Sequence, residues 1–164
     1  MPYDTGISAG RNAAIDKITT PYFLLLDDDF VFSRRQNLGL LIAQMKEYPE
    51  IDILGGRYID LPFYIKHNFQ NVPVPSNRAP VTPINTQLGD NRVVDKVQNY
   101  FIARTASVRK VRWNERLKTL EHTDFFSRAK GLLTTAYRSD MLILHAKTPF
   151  DIAYLNKRFR RRVK

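Results

Sequence analysis

The chain has 164 residues, a formal net charge of +10 and no cysteine. Its length is that of one domain with a buried core, and contents of 43% hydrophobic and 12% aromatic residues are typical of a globular protein. The missing cysteine excludes disulfides and thiolate metal sites, and no run approaches the roughly 18 apolar residues that would span a bilayer.

The first half of the chain alternates between helical and extended patterns. Apolar spacing and flanking prolines predict, in order, a helix at 8–19, a strand at 22–27, a helix at 36–48 and a strand at 51–59. Ser8 is the predicted N-cap of the first helix, and Gly55 and Gly56 indicate a bulge or a close backbone approach in the second strand. The strand–helix–strand order predicts parallel pairing of the two strands.

A loop rich in Pro, Asn, Thr and Gly is predicted at residues 71–91. After this loop the patterns predict a strand at 97–104, helices at 105–110 and 123–130, and short strands at 134–138 and 141–145. Gly131 follows the last helix at the position where a left-handed residue often ends one. The elements together predict one α/β domain.

The C-terminus is strongly basic, since six of the last eight residues are Lys or Arg. We therefore divide the chain into a domain at residues 1–152 and a basic tail at residues 153–164. The tail suits an anionic membrane surface. No nucleic-acid-binding motif accompanies the charge, so no specific nucleic-acid partner is predicted.

Three consecutive carboxylates, Asp27, Asp28 and Asp29, follow the apolar residues 22–26. Adjacent carboxylates repel one another, and a divalent cation would neutralise them. The carboxyl end of a strand is also where open α/β sheets bind ligands. The pattern therefore predicts either a metal site or a solvated acidic turn.

Six short segments are informative because of both their residues and their order along the chain. They are Ala-Gly-Arg-Asn at 9–12, Asp-Asp-Asp-Phe-Val-Phe at 27–32, Ile-Leu-Gly-Gly at 53–56, Phe-Ile-Ala-Arg-Thr at 101–105, Glu-His-Thr-Asp-Phe-Phe at 121–126 and Leu-Ile-Leu-His-Ala-Lys at 142–147. This ordered set resembles the family-2-like glycosyltransferases of the GT-A fold. It is most similar to the β-1,4-N-acetylgalactosaminyltransferases that build gangliosides, over roughly residues 5–150.

The resemblance implies a three-layer α/β/α fold with a mostly parallel central sheet. The first strand–helix unit of that fold and the membrane anchor of the family are not recognised in this sequence. The implied function is inverting, metal-dependent transfer of a sugar, N-acetylgalactosamine or a related hexose, from a UDP-sugar to a glycan or glycolipid hydroxyl. The implied location is the lumenal side of the Golgi membrane for a full-length eukaryotic protein, and otherwise the cytoplasm or a membrane surface. The alternative is a non-catalytic relative that binds polyanions or a membrane surface.

The resemblance also implies a cation site for Mn²⁺ or Mg²⁺. Asp27 and Asp29 match the two acidic residues of an Asp-x-Asp motif, in which the third residue ligates the metal and the first reaches ribose or a metal-bound water. His145 matches a later metal ligand, although an ordinary histidine at a strand end would look the same.

The nucleotide is expected to contact Arg11, Asn12, Asp27 and Asp28. Arg11 and Asn12 fall in the first turn of the predicted helix, where free N–H groups and the positive end of the dipole favour an anion.

The catalytic base is expected near the start of the helix at 123–130. An inverting transfer needs a group that takes the proton of the acceptor hydroxyl. Asp124 is the first choice, Glu121 the second and His122 the third. The other interpretation of Asp124 is a carboxylate stabilised only by the helix dipole.

Overall fold

The computed structural model describes residues 5–34, 36–67, 72–117, 120–147 and 153. The predicted basic tail at 153–164 therefore lies outside the described residues except for Ala153. The described elements are, in chain order, α1 (Ile7–Lys17), β1 (Tyr22–Leu25), β2 (Phe30–Val31), α2 (Leu38–Glu47), β3 (Ile53–Asp60), β4 (Ile65–Lys66), β5 (Gln87–Leu88), β6 (Asn91–Val93), β7 (Phe101–Arg104), α3 (Thr105–Val111), α4 (Glu121–Ala129) and β8 (Thr135–His145).

The strands form one mixed sheet in the order β1-β7-β3-β8-β6-β5, with β2 on β8 and β4 on β3. Among the described strands only β3 and β8 pair in parallel. The prediction of a mostly parallel sheet is therefore wrong. The cause is β7, which lies between β1 and β3 and runs antiparallel to both. β1 and β3 therefore run in the same direction, as predicted, but do not pair with each other.

Helices cover both faces of the sheet, as predicted for a three-layer α/β/α domain. Side chains alternate along each strand, so Phe101 and Ala103 join the apolar cluster under α1, α3 and α4, whereas Ile102 joins the cluster under α2. In the same way Ile53 faces the first cluster and Leu54 the second.

The two glycines in β3 allow a close approach of chain segments, as the sequence predicted. A Cβ on Gly55 would lie 2.3 Å from Cβ of Val97, and one on Gly56 would lie 2.1 Å from the carbonyl oxygen of Met141. The β3–β8 register shifts here, because Gly55 pairs with Tyr137 whereas Arg57 pairs with Leu142. The predicted short strands at 134–138 and 141–145 are therefore one irregular strand.

Two helix starts differ from the prediction. The first helix begins at Ile7 with Gly6 as its N-cap, and the Ser8 hydroxyl instead donates to the carbonyl of Leu117 at 2.9 Å. Arg11 consequently lies in the second turn, away from the free N–H groups of the helix end. The last helix begins at Glu121, and Gly131 follows it with a φ of +80°.

No helix within the described ranges has the length and apolar character needed to cross a bilayer.

We expect Gly56→Ala to lower the free energy of unfolding by about 1–3 kcal/mol, because the new methyl group meets backbone that cannot move aside. Gly10→Ala is the matched control: Gly10 lies inside α1 with no atom within 4 Å of the new Cβ. Alanine there should stabilise by about 0.5–1 kcal/mol. Urea unfolding of both variants checks this, and equal midpoints would contradict the packing account.

Candidate active site

The acidic segment at residues 27–29 leaves β1 at its carboxyl end and returns through β2 onto β8. Phe30 of β2 pairs with His145, and the amide of Ala146 donates to the carbonyl of Asp29 at 2.8 Å. Parallel pairing of β3 with β8 sets Asp60 opposite His145. The fold thus brings Asp29, Asp60 and His145 together from distant parts of the chain.

The His145 ring lies between two carboxylates. Its Nδ1 is 2.6 Å from Oδ1 of Asp60 and its Nε2 is 3.0 Å from Oδ2 of Asp29. Asp60 also contacts Nε2 of His67 at 2.9 Å and accepts from Nζ of Lys147 at 3.4 Å. Burial alone would raise the pKa of Asp60, but hydrogen bonds from His145 and His67 outweigh it and hold that pKa below its usual value.

A second network surrounds Asp27. Arg11 donates from Nη2 to Asp27 at 3.3 Å and from Nη1 to Glu121 at 3.1 Å. The amide of Asn99 donates to both Asp27 oxygens, at 3.1 and 3.2 Å. The Arg11 guanidinium lies 5.6 Å from the centre of the Trp113 ring, which adds a cation–π contact. Arg11 therefore links the acidic strand end to the start of α4.

The carboxylates are close enough to affect one another. Burial raises the pKa of Asp27, an effect that the hydrogen bond from Asn99 and the charge of Arg11 only partly offset. Burial together with the charges of Asp60, Asp27 and Asp29 raises the pKa of Tyr58 to about 12, so its hydroxyl stays neutral at ordinary pH. Such mutual shifts are characteristic of functional sites.

A groove of about 540 Å³ runs between α1 and β1. Apolar side chains, among them Ile15 and Phe23, line most of it. Arg11, Asp27 and Asp28 also line it, so the groove brings apolar surface and charged groups together. This combination suits a ligand with one apolar and one charged part.

The donor atoms near Asp29 fit a divalent cation. Oδ1 of Asp29 is buried and has no hydrogen-bond partner, and such an orphaned carboxylate oxygen is a free ligand position. Carboxylate oxygen and imidazole nitrogen together suit Mn²⁺. Within the described ranges no group of three His, Cys, Asp or Glu side chains is arranged to hold a metal ion by itself, so further ligands would come from a bound phosphate or water.

The three candidates for the base have different surroundings. Glu121 faces Arg11 and thereby joins the Asp27 network. Asp124 accepts from Nε of Arg128 at 2.8 Å, and Arg128 in turn donates to two backbone carbonyls at the end of α3. The Asp124 side chain is thus tied to α3 through Arg128 rather than to the acidic strand end. His122 is half-buried and packs edge to face against Phe126, and its Nε2 is buried without a hydrogen-bond partner.

Asn12, an expected nucleotide contact, and the neighbouring Trp113 both have structural partners. Asn12 is 2% exposed, donates to the Trp113 carbonyl at 2.9 Å and to Glu115 at 2.8 Å, and accepts from the Trp113 amide. These hydrogen bonds occupy the side chain of Asn12, so of Arg11 and Asn12 only Arg11 remains a candidate to bind the nucleotide. Trp113 is 4% exposed and stacks on Phe125 at 4.6 Å, which makes it a packing residue.

Sequence reasoning did not select Asn99 or Asp60 as site residues. Asn99 lies two residues before β7 and before the segment at 101–105 that contributes to the family resemblance. Asp60 is the last residue of β3 and therefore lies at the same sheet edge as Asp29. A search for polar residues at the ends of all predicted strands would have found Asp60.

Comparisons with known proteins identify the family of this chain. The family model described as "Glycosyl transferase family 2" matches residues 1–118, which include the acidic strand end. The chain belongs to glycosyl transferase family 2. A crystal structure of S. aureus TarS 1-349 shares the fold with a TM-score of 0.59 at 20% identity, over 86% of this chain and 40% of that one.

Named relatives of this family 2 member are similar over most of its length. Beta-1,4 N-acetylgalactosaminyltransferase 1 of Mus musculus and of Homo sapiens are each 33% identical over 156 residues, which is 89% of this chain. Beta-1,4 N-acetylgalactosaminyltransferase 2 of Mus musculus is 28% identical over 159 residues. The chain spans about 29% of the first relatives' length.

His122 should make the stability of this family 2 domain depend on pH. Burial, with the nearby charges of Arg11 and Lys96, lowers its pKa to about 4 despite a hydrogen bond with the Val97 backbone. Between pH 6.5 and 4 the unfolded chain then binds more protons than the folded one, so the free energy of unfolding falls as pH falls, by at most about 1.4 kcal/mol per pH unit.

Urea unfolding of the parent and of His122→Gln over pH 4–7 checks this. The carboxylate contributions are common to both proteins and cancel in the difference. We expect the acid loss of stability to be smaller in the variant. Identical slopes would show that His122 titrates normally.

Proposed function

We propose that this chain is the catalytic portion of an inverting, metal-dependent glycosyltransferase. It moves a sugar, N-acetylgalactosamine or a related hexose, from a UDP-sugar to a hydroxyl of a glycan or glycolipid. The observation that carries the proposal is the buried, partnerless Oδ1 of Asp29 beside Nε2 of His145 at the carboxyl edge of the sheet. The similarity to N-acetylgalactosaminyltransferases supports the choice of sugar.

Asp29 and His145 would hold the cation, with Mn²⁺ or Mg²⁺ as the candidates. When bound, such a cation offsets the negative charge that develops on a diphosphate leaving group. Both side chains are anchored by backbone pairing between β2 and β8, so they need little rearrangement to bind. A location on the lumenal side of the Golgi membrane, which the family resemblance implied, is part of this proposal.

Asp27 and Arg11 would contact the nucleotide. The groove beside β1 offers apolar surface for the base, and Arg11 and Asp28 line the same groove. Arg11 is prepositioned by Asp27, Glu121 and the Trp113 ring, so its charge is presented in a fixed orientation. Asn99 holds Asp27 in place from the other side.

Glu121 is the residue that we propose as the base. Its carboxylate is largely buried and reaches the Asp27 network through Arg11. Asp124, the first choice from sequence, is engaged with Arg128 in an i,i+4 ion pair that ties α4 to α3. His122 is a poor candidate because burial and the nearby charges of Arg11 and Lys96 disfavour the imidazolium that it would become on accepting a proton. Glu121 would take the proton of the acceptor hydroxyl as that oxygen attacks the anomeric carbon.

Asp29→Ala should weaken the binding of Mn²⁺–UDP by at least about 100-fold, since loss of a direct ligand exceeds the 10–100-fold typical of an outer-shell partner. Isothermal titration of UDP in the presence of Mn²⁺ measures the effect. Asp90→Ala is the control, because Asp90 is a highly exposed carboxylate that pairs with Arg138. Unchanged affinity in Asp29→Ala would exclude the proposed cation site.

Glu121→Gln should lower kcat for sugar transfer by about 10²–10⁴ and leave Mn²⁺–UDP affinity nearly unchanged. Asp124→Asn should keep transfer and lose only about 0.3–0.5 kcal/mol of stability with its helix ion pair. Transfer assays at varied donor concentration separate the two effects. A raised KM without loss of kcat in Glu121→Gln would instead mean that Glu121 only orients Arg11, and loss of kcat in Asp124→Asn would restore Asp124 as the base.

A further inference from the structure

Asp60 is a buried carboxylate that the proposed chemistry does not use. It is 4% exposed and ends β3, directly opposite His145 in the parallel register with β8. A buried carboxylate is costly unless its oxygens are paired. Its two oxygens contact His145, His67 and Lys147, so no lone oxygen is left to ligate a cation. Its contacts instead point to a role that acts through His145.

The His145 ring is fixed in orientation by its neighbours. Phe30 and Tyr58 contact it edge to face, with centroid separations of 5.1 and 5.2 Å. The two ring nitrogens face carboxylates on opposite sides, at 2.6 Å for Asp60 and 3.0 Å for Asp29. Rotating the ring by 180° would break both contacts with the carboxylates, and the neighbouring aromatic rings leave little space for such a rotation.

The hydrogen on the ring follows from this geometry. A neutral imidazole carries one N–H, and an ionised carboxylate can only accept a hydrogen bond. The shorter contact is with Asp60, which is almost fully buried, whereas the side chain of Asp29 is 41% exposed. In the neutral ring the hydrogen therefore belongs on Nδ1, and the lone pair of Nε2 then faces Oδ2 of Asp29, whose other oxygen, Oδ1, has no hydrogen-bond partner.

We propose that Asp60 is the positioning residue of His145: it holds the ring hydrogen on Nδ1 and presents Nε2 as a ligand for a divalent cation at Asp29. The inference rests on the proposed function for the cation, but the state of the ring is a property of the protein alone. Carboxylates that hold metal-binding histidines in this way fix the tautomer and make the nitrogen a better donor.

The test combines a ring measurement with a binding measurement. Long-range ¹H–¹⁵N NMR of the cation-free protein at pH 8 shows which nitrogen of His145 carries the hydrogen, and calorimetry gives the affinity for UDP with Mn²⁺. We expect Nδ1–H in the parent. Asp60→Asn keeps the shape of the side chain but removes its charge, and it should shift the ring toward Nε2–H and weaken binding about 10–100-fold.

Asp52→Asn is the matched control, since Asp52 precedes the other end of the same strand and bonds Ser107 and Thr134. It should change neither the tautomer nor the affinity.

If the His145 ring of the parent protein carries its hydrogen on Nε2, the proposal is overturned. This measurement does not depend on whether any variant folds. An Asp60→Asn variant with an unchanged tautomer and unchanged affinity also overturns it. If the parent shows Nδ1–H and Asp60→Asn shifts it, but Asp29→Ala binds as tightly as the parent, then the role of Asp60 toward His145 stands and the proposed cation site fails.

Discussion

Charge balance at the carboxyl edge of the sheet is the constraint on which the site depends. Three carboxylates, those of Asp27, Asp29 and Asp60, meet there, and like charges in partly buried positions raise the free energy of the fold. Arg11 offsets Asp27, and His145 lies between the other two. One buried oxygen of Asp29 is left without a hydrogen-bond partner. Its negative charge is therefore not fully compensated by the protein, and a bound cation would compensate it.

The fold supplies this arrangement through β8. It pairs with β3 on one side and β2 on the other, and its last residue, His145, therefore lies between chain segments that carry Asp60 and Asp29. Before His145, β8 passes through the irregular stretch opposite Gly56 of β3. There the two backbones lie so close that no side chain fits at position 56. Packing in the middle of the sheet thus sets the geometry at its edge.

The local features of the site could be predicted from sequence, because they depend on neighbours along the chain. The apolar residues before Asp27 marked a strand end, and His145 was correctly placed at the end of another. The order of strands in the sheet could not be predicted in the same way. β7 lies between β1 and β3, and this pairing joins segments that are far apart in the sequence, which short sequence patterns do not encode. The ion pair between Asp124 and Arg128 could have been predicted, because the two residues lie four apart in one predicted helix. Asp60 was missed because its partner His145 is 85 residues away.

The central claim is that the carboxyl edge binds the cation of a nucleotide-sugar donor through Asp29 and His145. Anomalous X-ray diffraction from crystals of the chain grown with Mn²⁺ and UDP tests it most directly, because it locates the metal without assuming its ligands. The account predicts a manganese peak within coordinating distance of Asp29 Oδ1 and His145 Nε2, next to the diphosphate. Bound UDP with the manganese elsewhere, or with no manganese at this edge, would contradict it.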